Sequence, residues 1–209
     1  MTRFEDIKAF AFDVDGVFTD GLVLAMPDGD LLRQFNSKDC YAVRTAVNNG
    51  YPCAIITGGV SQSILNRTRS LGVEDRHLYM LSKDKEADFR HFCRSLGFDP
   101  SQVAFVGDDI PDIPAMRVAG LGVCPADAVA EVRAEADLVS QYNGGRGCIR
   151  DLVEQVLKAQ DAWKFNPKDP WKGGHPDHIT KFAQMTGTNC ETVLEQIPER
   201  NEAIDDRNV

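Results

Sequence analysis

The chain has 209 residues, with 32 acidic and 23 basic side chains and a formal net charge of −9. This charge argues against nucleic acids and anionic membranes as partners, because both would repel the chain. The length gives room for one ordinary hydrophobic core and an appendage. No segment approaches the ~18 consecutive apolar residues that span a bilayer, and the N-terminus lacks a signal-peptide pattern. We therefore expect one domain with a tail, a small-molecule ligand and a cytoplasmic location.

Six cysteines are spread along the chain without any C-x-x-C pair. Several lie within apolar segments, where thiols pack as small hydrophobic groups. This distribution favours a reduced, intracellular protein over a disulfide-bonded one.

An apolar segment from Ile7 to Val14 predicts the first strand, covered on both faces. It runs into the sequence DVDG, so Asp13 and Asp15 lie at its carboxyl end. The next segment, residues 22–35, predicts a β-hairpin with its turn at residues 27–30. A hairpin of this length is too short to form a cap domain.

Helices and strands then alternate along the chain. The predicted helices span residues 37–49, 61–71, 83–96 and 144–160, and Ser37 is expected to N-cap the first. The predicted strands span residues 52–57, 77–80 and 103–106, and shorter pieces follow through residue 139. This alternation is typical of an α/β fold with a doubly wound, Rossmann-like parallel sheet. Such sheets bind ligands at the carboxyl ends of their strands.

The composition changes after residue 160, where residues 163–176 form a linker rich in Trp, Pro and Gly. We therefore divide the chain into a domain, residues 1–162, and a linker with a short helical extension, residues 163–209. Trp163 and Trp171 are expected to pack this tail onto the core or onto a neighbouring subunit. His175 and His178 have HxxH spacing, but without a second pair a plain linker is favoured over a metal site.

Polar side chains follow several of the predicted strands. They are Asp13 and Asp15 after the first strand, Thr57 after the second, and Asp108, Asp109 and Asp112 after a later one. Five carboxylates in one cleft would repel each other strongly unless a cation lay among them. Hard oxygen ligands of this kind suit Mg²⁺, which keeps water and phosphate oxygens as its other ligands. The residues thus point to a magnesium-bound phosphate ester.

The chain resembles the haloacid-dehalogenase-like phosphatases in four motifs: DVDGVFTDG, ITG, a downstream lysine and VGDDIPD. With the short hairpin, FNSKD and GGRG, it is similar to their capless subfamily of 3-deoxy-octulosonate 8-phosphate and nonulosonate 9-phosphate phosphatases. The resemblance extends from about Ile7 to Gln160.

The resemblance implies a Mg²⁺-dependent phosphomonoesterase acting on a 3-deoxy-2-keto sugar acid phosphate. The expected substrate is 3-deoxy-D-manno-octulosonate 8-phosphate, from lipopolysaccharide synthesis, and a nonulosonate 9-phosphate is the alternative. A cleft without a cap cannot exclude water alone. We therefore expect an oligomer in which a neighbour's hairpin covers the site, and the resemblance implies a homotetramer.

The resemblance also implies roles for the acidic residues. Asp13 would attack phosphorus and form an aspartyl-phosphate, while Asp15 would protonate the leaving alkoxide and then activate water. Mg²⁺ would be held by the Asp13 carboxylate, the Asp15 backbone carbonyl and Asp108. Asp109 and Asp112 would lie nearby and hold water, although Asp112 could instead cap the following helix.

The phosphate group would contact Thr57, Gly58 and a lysine at the start of the third helix. Lys85 fits the family register best, and Lys83 is the alternative; either one would offset the phosphoryl charge. A lysine in the first turn of a helix can also be a plain surface residue.

Two further residues fall in segments that contact substrate in the family. Arg146, within GGRG, would bind the substrate carboxylate through its planar guanidinium, although GGRG could also be a flexible turn. Asp39, within FNSKD, would contact substrate or simply be a first-turn acid of its helix.

The chain departs from the subfamily pattern at two places. Gly59 follows ITG where many members carry a charged residue, and residues 80–82 lack the glycine usually found shortly before the lysine. Both places lie where substrate contacts are expected. The departures therefore affect which sugar is the substrate more than they affect the catalytic chemistry.

Two other classes of function use similar residues. A phosphoacceptor signalling domain gathers the same groups, but it carries its acceptor on a later strand, whereas DxD comes first here. A non-catalytic regulatory module is the other alternative, and the intact nucleophile and acid positions argue against it.

Overall fold

The computed structural model describes residues 4–27 and 29–164, and within these ranges the chain forms strands and helices in alternation. The strands are β1 (Ala9–Phe12), β2 (Leu24–Ala25), β3 (Leu31–Leu32), β4 (Cys53–Ile56), β5 (Leu78–Tyr79), β6 (Val103–Val106), β7 (Leu121–Cys124) and β8 (Leu138–Val139). The α-helices are α1 (Ser37–Asn48), α2 (Gln62–Ser70), α3 (Lys85–Leu96), α4 (Ile113–Val118), α5 (Ala130–Glu135) and α6 (Cys148–Ala159).

Six strands form one sheet in the order β5-β4-β1-β6-β7-β8, and every pairing in it is parallel. The predicted α/β fold with a doubly wound parallel sheet is confirmed. Strands β2 and β3 form a separate antiparallel hairpin within the predicted segment 22–35. Because β1 lies between β4 and β6, the carboxyl ends of these three strands are neighbours.

Side chains of β1 alternate between the two faces of the sheet, as a strand period of two requires. Phe10 and Phe12 pack with buried residues of α1, α2 and α6. Ala9 and Ala11 face the opposite core, which is built with α3, α4 and α5. Helices thus cover both faces of the sheet, and this burial holds the strand ends in place.

Helices α2, α3 and α6 begin one, two and four residues later than predicted, at Gln62, Lys85 and Cys148, and α1 has a different N-cap. The N-cap of α1 is Asn36, whose side chain accepts the backbone N–H of Lys38 at 2.8 Å, and not Ser37. Helix α3 begins at Lys85, because Asp84 caps it by accepting the N–H of Ala87 at 2.9 Å. Asn and Asp are strong N-caps, and a cap at residue 84 makes Lys85 the first helical residue.

Two sequence expectations about composition can be compared with the described residues. Their five cysteines are all buried and form no disulfide, as expected for thiols that pack as hydrophobic groups. No helix in these ranges is long and apolar enough to cross a membrane.

Only the first two residues of the predicted tail belong to the described part of the chain. The ring of Trp163 lies 6.3 Å from that of Tyr41, and the Arg150 guanidinium lies 5.5 Å from the Trp163 ring. The start of the tail therefore packs on the domain. Trp171, His175 and His178 lie outside the described residues, and the division at residue 162 stays a prediction.

Candidate active site

Three adjacent strands each deliver a polar side chain to the same edge of the sheet. Asp13 follows β1, Thr57 follows β4, and Asp108 comes two residues after the end of β6. Asp13 and Thr57 are buried, with 6% and 1% of their surface exposed. The predicted convergence of these residues is therefore present, and it follows from the parallel order of the strands.

Lys85 lies between two buried carboxylates. Its Nζ is 2.9 Å from Oδ2 of Asp13 and 2.6 Å from Oδ1 of Asp112. Burial alone would lower the pKa of Lys85, but the two carboxylates raise it above its usual value. Lys83, the alternative from the sequence, is exposed. The structure brings Lys85 into the cluster and leaves Lys83 at the surface.

Asp112 is fully buried, and both of its oxygens have partners. Oδ1 accepts Lys85, while Oδ2 accepts the backbone N–H of Asp108 at 3.0 Å and of Asp109 at 3.2 Å. The bond from the Asp109 N–H belongs to the cap of the short 3₁₀ helix Ile110–Asp112. The Asp112 side chain forms no cap hydrogen bond on the following helix α4, so the alternative that it caps that helix is wrong. Asp109 is exposed, and its own side chain accepts the N–H of Ile110 at 2.8 Å.

Asp13 and Asp108 each retain one buried oxygen, Oδ1, with no hydrogen-bond partner among the described residues. Burial and the nearby Asp112 raise the pKa of Asp13 to about 6, although Lys85 opposes this shift. Burial, Asp13 and Asp112 raise the pKa of Asp108 to about 7. The negative charge of the cluster is therefore not balanced by Lys85 alone.

A divalent cation fits this imbalance. One carboxylate oxygen from each of Asp13, Asp108 and Asp112 lies within 4.8 Å of the others. Since both oxygens of Asp112 are already occupied, the groups available to a cation are the unpartnered oxygens of Asp13 and Asp108. Carboxylate oxygens are the ligands that hard cations such as Mg²⁺ prefer.

Steric crowding requires the glycine of the DxDG motif. Gly16 has a φ of +85°, and a Cβ at this position would overlap the carboxylate of Asp108. The GGRG segment packs against the same loop so closely that a Cβ on Gly144 would overlap the backbone carbonyl of Gly16. Two distant glycines therefore let the first and last motifs approach each other closely.

Hydrogen bonds fix Thr57 at the end of β4, beside the end of β1. The Thr57 hydroxyl oxygen accepts the N–H of Gly59 at 3.1 Å, and its backbone N–H donates to the Tyr79 carbonyl at 2.9 Å. Gly58 is exposed between them. This arrangement fixes the position of the Thr57 hydroxyl beside the carboxylate cluster.

Asp15 is paired with an arginine that the sequence did not single out. Arg33 donates from Nε to Oδ1 of Asp15 at 2.7 Å and from Nη2 to Oδ2 at 2.9 Å. It belongs to the predicted hairpin segment, so this segment contributes to the cleft of its own chain. One arginine in a short hairpin carries no pattern of its own, so no signal in the sequence pointed to this contact.

Asp39 does not line the cleft, and the expected substrate contact is corrected. It is fully buried, and its two oxygens accept the backbone N–H groups of Gly147 at 3.0 Å and Arg150 at 2.8 Å. Asp39 therefore caps the N-terminus of α6, where a negative charge is favourable. Burial raises its pKa, and these backbone hydrogen bonds oppose the shift.

Arg146 is placed at the surface beside the first motif. Its side chain is 68% exposed, and Nη2 lies 3.1 Å from Oδ2 of Asp20. It also lines an open cavity of about 500 Å³ along α6, together with Lys38 and Arg150. The structure thus places Arg146 next to the DxDG loop, and its substrate contact stays a prediction.

Comparison with known proteins gives consistent relatives. A family model for haloacid dehalogenase-like hydrolases matches residues 30–120. The 3-deoxy-D-manno-octulosonate 8-phosphate phosphatase of Salmonella typhi is 38% identical over 160 residues, which cover 77% of this chain and 84% of the relative.

Solved structures show the same likeness. The phosphatase of this name from Yersinia pestis has a TM-score of 0.73 at 36% identity, over 76% of this chain and 85% of that one. The phosphatase of the same name from Moraxella catarrhalis has a TM-score of 0.72 at 33% identity, and its structure is a complex with a magnesium ion, a phosphate ion and a KDO molecule. That match covers 76% of this chain and 90% of the other.

Proposed function

This chain belongs to the 3-deoxy-D-manno-octulosonate 8-phosphate phosphatase family of haloacid dehalogenase-like hydrolases, and on that basis we propose that it is a Mg²⁺-dependent phosphomonoesterase acting on this sugar acid phosphate. The observation that carries the proposal is the pair of buried oxygens on Asp13 and Asp108 that have no partner in the described part of the chain, beside the buried cation of Lys85. Such a cluster needs a metal ion, and a phosphate ester can bind to that ion.

The chemistry begins at Asp13. One of its oxygens forms a bond to phosphorus while the bond from phosphorus to the ester oxygen breaks, and the leaving oxygen takes a proton from Asp15. Water then attacks the aspartyl-phosphate, Asp15 takes up a proton from that water, and phosphate and the Asp13 carboxylate are released.

The remaining residues hold the charge of the phosphoryl group. Lys85 would offset it from one side, and the Thr57 hydroxyl and the backbone of Gly58 would donate to phosphate oxygens. Asp13, Asp108 and the Asp15 backbone carbonyl would hold Mg²⁺, which when bound neutralises the developing negative charge. Asp112 keeps Lys85 and the 108–112 loop in position, and Asp109 lies at the exposed rim.

A panel of sugar phosphates tests the substrate. With Mg²⁺ present, we expect the highest kcat/KM on 3-deoxy-D-manno-octulosonate 8-phosphate and lower values on nonulosonate 9-phosphates and on simple hexose phosphates. Preference for a nonulosonate 9-phosphate would transfer the assignment to that substrate. Equal, low activity on all of them would contradict both assignments.

Metal binding is expected to depend on pH, with the sign set by the two raised carboxyl pKa values. Asp13 and Asp108 titrate at about 6 and about 7 in the metal-free fold, above their usual 3.8. As pH rises from about 4 to 7, these two groups therefore make the metal-free fold less stable. Metal ions must displace their protons below these values.

We therefore expect Mg²⁺ to raise the melting temperature clearly at pH 8 and hardly at pH 5. Between pH 8 and pH 5, protonation of Asp13 and Asp108 lowers the apparent affinity for Mg²⁺ by roughly a thousandfold. Differential scanning fluorimetry with and without Mg²⁺ measures the shift, and Asp108→Asn is the control that should lose it at both pH values. An equal shift at pH 5 and pH 8 would refute the metal position.

Two finer predictions are part of the proposal. A homotetramer would cover the open cleft with a neighbour's hairpin, and Leu22 and Leu24 on this hairpin are exposed by 74% and 64%. The cytoplasmic location stays a prediction from the sequence.

A further inference from the structure

Arg33 forms an ion pair with Asp15 that is largely removed from solvent. Besides its two bonds to the Asp15 carboxylate, its Nη1 donates to the Leu31 carbonyl at 2.9 Å. The Arg33 side chain is 2% exposed, whereas that of Asp15 is 34% exposed. A parallel pair of charge-assisted bonds of this kind sets the geometry of a carboxylate as well as adding energy. It differs in this respect from an ordinary surface ion pair.

We propose that Arg33 is a positioning residue that orients the Asp15 carboxylate toward the ester oxygen of the substrate. This inference rests on the proposed phosphatase function and adds a residue to it. Among residues 4–27 and 29–164, no side chain other than Arg33 pairs with the Asp15 carboxylate, so Arg33 is what restricts its rotation. Proton transfer requires the acid to lie within hydrogen-bond reach of the ester oxygen, which an unrestrained carboxylate satisfies only part of the time.

The pairing leaves Asp15 able to react. A carboxylate offers about four lone-pair sites, and the Arg33 guanidinium occupies two of them, one on each oxygen. One site on each oxygen therefore remains for the proton that passes to the leaving group. The hydrogen bond to the Leu31 carbonyl holds the guanidinium against the hairpin. The hairpin therefore sets the orientation of the Asp15 carboxylate.

Gly59 supplies the space for this arrangement. A Cβ on Gly59 would lie 3.1 Å from Nη2 of Arg33, 3.5 Å from Oδ2 of Asp15 and 3.5 Å from the Thr57 hydroxyl oxygen. Any larger side chain there would compete with the guanidinium for the same volume. The glycine at residue 59 thus leaves room for the guanidinium that enters from residue 33.

The proposal predicts an effect that depends on the leaving group. An alkoxide leaves poorly and needs the proton of Asp15 as the bond from phosphorus to oxygen breaks. A nitrophenolate is a stable anion and leaves without that proton. Loss of Asp15 orientation should therefore lower kcat/KM for alkyl phosphates and spare kcat/KM for p-nitrophenyl phosphate, whereas a general structural defect would lower both. The comparison uses kcat/KM because it covers the steps up to departure of the leaving group, whereas the later attack of water, in which Asp15 acts as the base, changes kcat for both esters.

The test is Arg33→Ala, with kcat and KM measured on 3-deoxy-D-manno-octulosonate 8-phosphate and on p-nitrophenyl phosphate in Mg²⁺. We expect kcat/KM for the sugar ester to fall at least about thirtyfold, a share of the ~10²–10⁴ that general acids contribute. The kcat/KM for p-nitrophenyl phosphate should stay within about threefold. Arg33→Lys should recover only part of the loss, because an ammonium is a point charge without the planar fork.

Arg117→Ala is the matched control. It removes another two-bond pair, with Glu135 at 2.9 and 2.7 Å, which lies on the exposed surface. This control should leave both activities at the wild-type level. An equal loss of kcat/KM on both esters in Arg33→Ala, no loss on either, or full recovery with lysine would overturn the proposal.

Failure of the proposed substrate gives a different result. If the wild type hydrolyses other alkyl phosphates but not the octulosonate ester, the substrate assignment fails. The role of Arg33 is then decided by the same comparison on those esters. A wild type that hydrolyses no phosphate ester overturns both the proposed function and the role of Arg33.

Discussion

Asp13→Asn is expected to lose at least about a thousandfold in kcat on any phosphate ester, a rise in the barrier of ~4 kcal/mol. The amide is isosteric but is a poor nucleophile, so the bond to phosphorus does not form. The fold should be retained, because burial already disfavours the charge of Asp13 and raises its pKa to about 6. Without metal at pH 8, the variant should therefore melt no lower than the wild type.

Steady-state kinetics and a melting curve test this prediction together. The melting curve separates loss of chemistry from loss of structure. Activity within about tenfold of the wild type, ~1.4 kcal/mol, would contradict the role of Asp13 as nucleophile.

Lys85→Met is expected to damage both stability and activity. Its ammonium group lies 2.9 and 2.6 Å from the buried carboxylates of Asp13 and Asp112. Removing one partner of a buried ion pair leaves uncompensated charge and costs roughly 3–5 kcal/mol. Methionine keeps the apolar stem, so the loss measures the charge more than the packing. Turnover should fall with it, since the phosphoryl group loses its cation.

The matched control is Lys83→Met, two residues earlier and exposed. It should change the free energy of unfolding by no more than about 0.5 kcal/mol and leave turnover unaltered. Urea denaturation at pH 8 measures the difference, and the loss in Lys85→Met should shrink at pH 5 as the carboxylates take up protons. A loss below about 1 kcal/mol at pH 8 would show that Lys85 does not balance this cluster.

Much of the fold was predictable because its signals are local. A pattern of about a dozen residues or fewer is enough to recognise the apolar β1 segment, the strand at residues 53–56 and the capped helices. Once the order of strands is parallel, the side chains that follow them must meet at one edge. The meeting of Asp13, Thr57 and Asp108 was therefore predictable without knowledge of any contact.

The choice between Lys83 and Lys85 was not decidable from the pattern alone. Both lysines fall in the first turn of the predicted helix, and helix starts are uncertain by a residue or two. The cap formed by Asp84 sets the start at Lys85, whose side chain then reaches Asp13.

Two other residues depend on contacts between distant segments. Asp39 accepts the N–H of Gly147, 108 residues further along the chain, so nothing within FNSKD could reveal its capping role. Arg33 reaches Asp15 through a hairpin whose strands are two residues each. Strands of this length have too little pattern to predict which way a side chain points.

The central claim, that this protein hydrolyses a sugar acid phosphate through a phosphorylated Asp13, is tested most directly by trapping that intermediate. The enzyme is mixed with 3-deoxy-D-manno-octulosonate 8-phosphate and Mg²⁺, quenched in acid within one turnover, and reduced with borohydride. An acyl-phosphate is reduced to the alcohol, so peptide mass spectrometry should find homoserine in place of Asp13. Asp13→Asn should give no such peptide. An unmodified Asp13 during active turnover, or the modification at another carboxylate, would contradict the account.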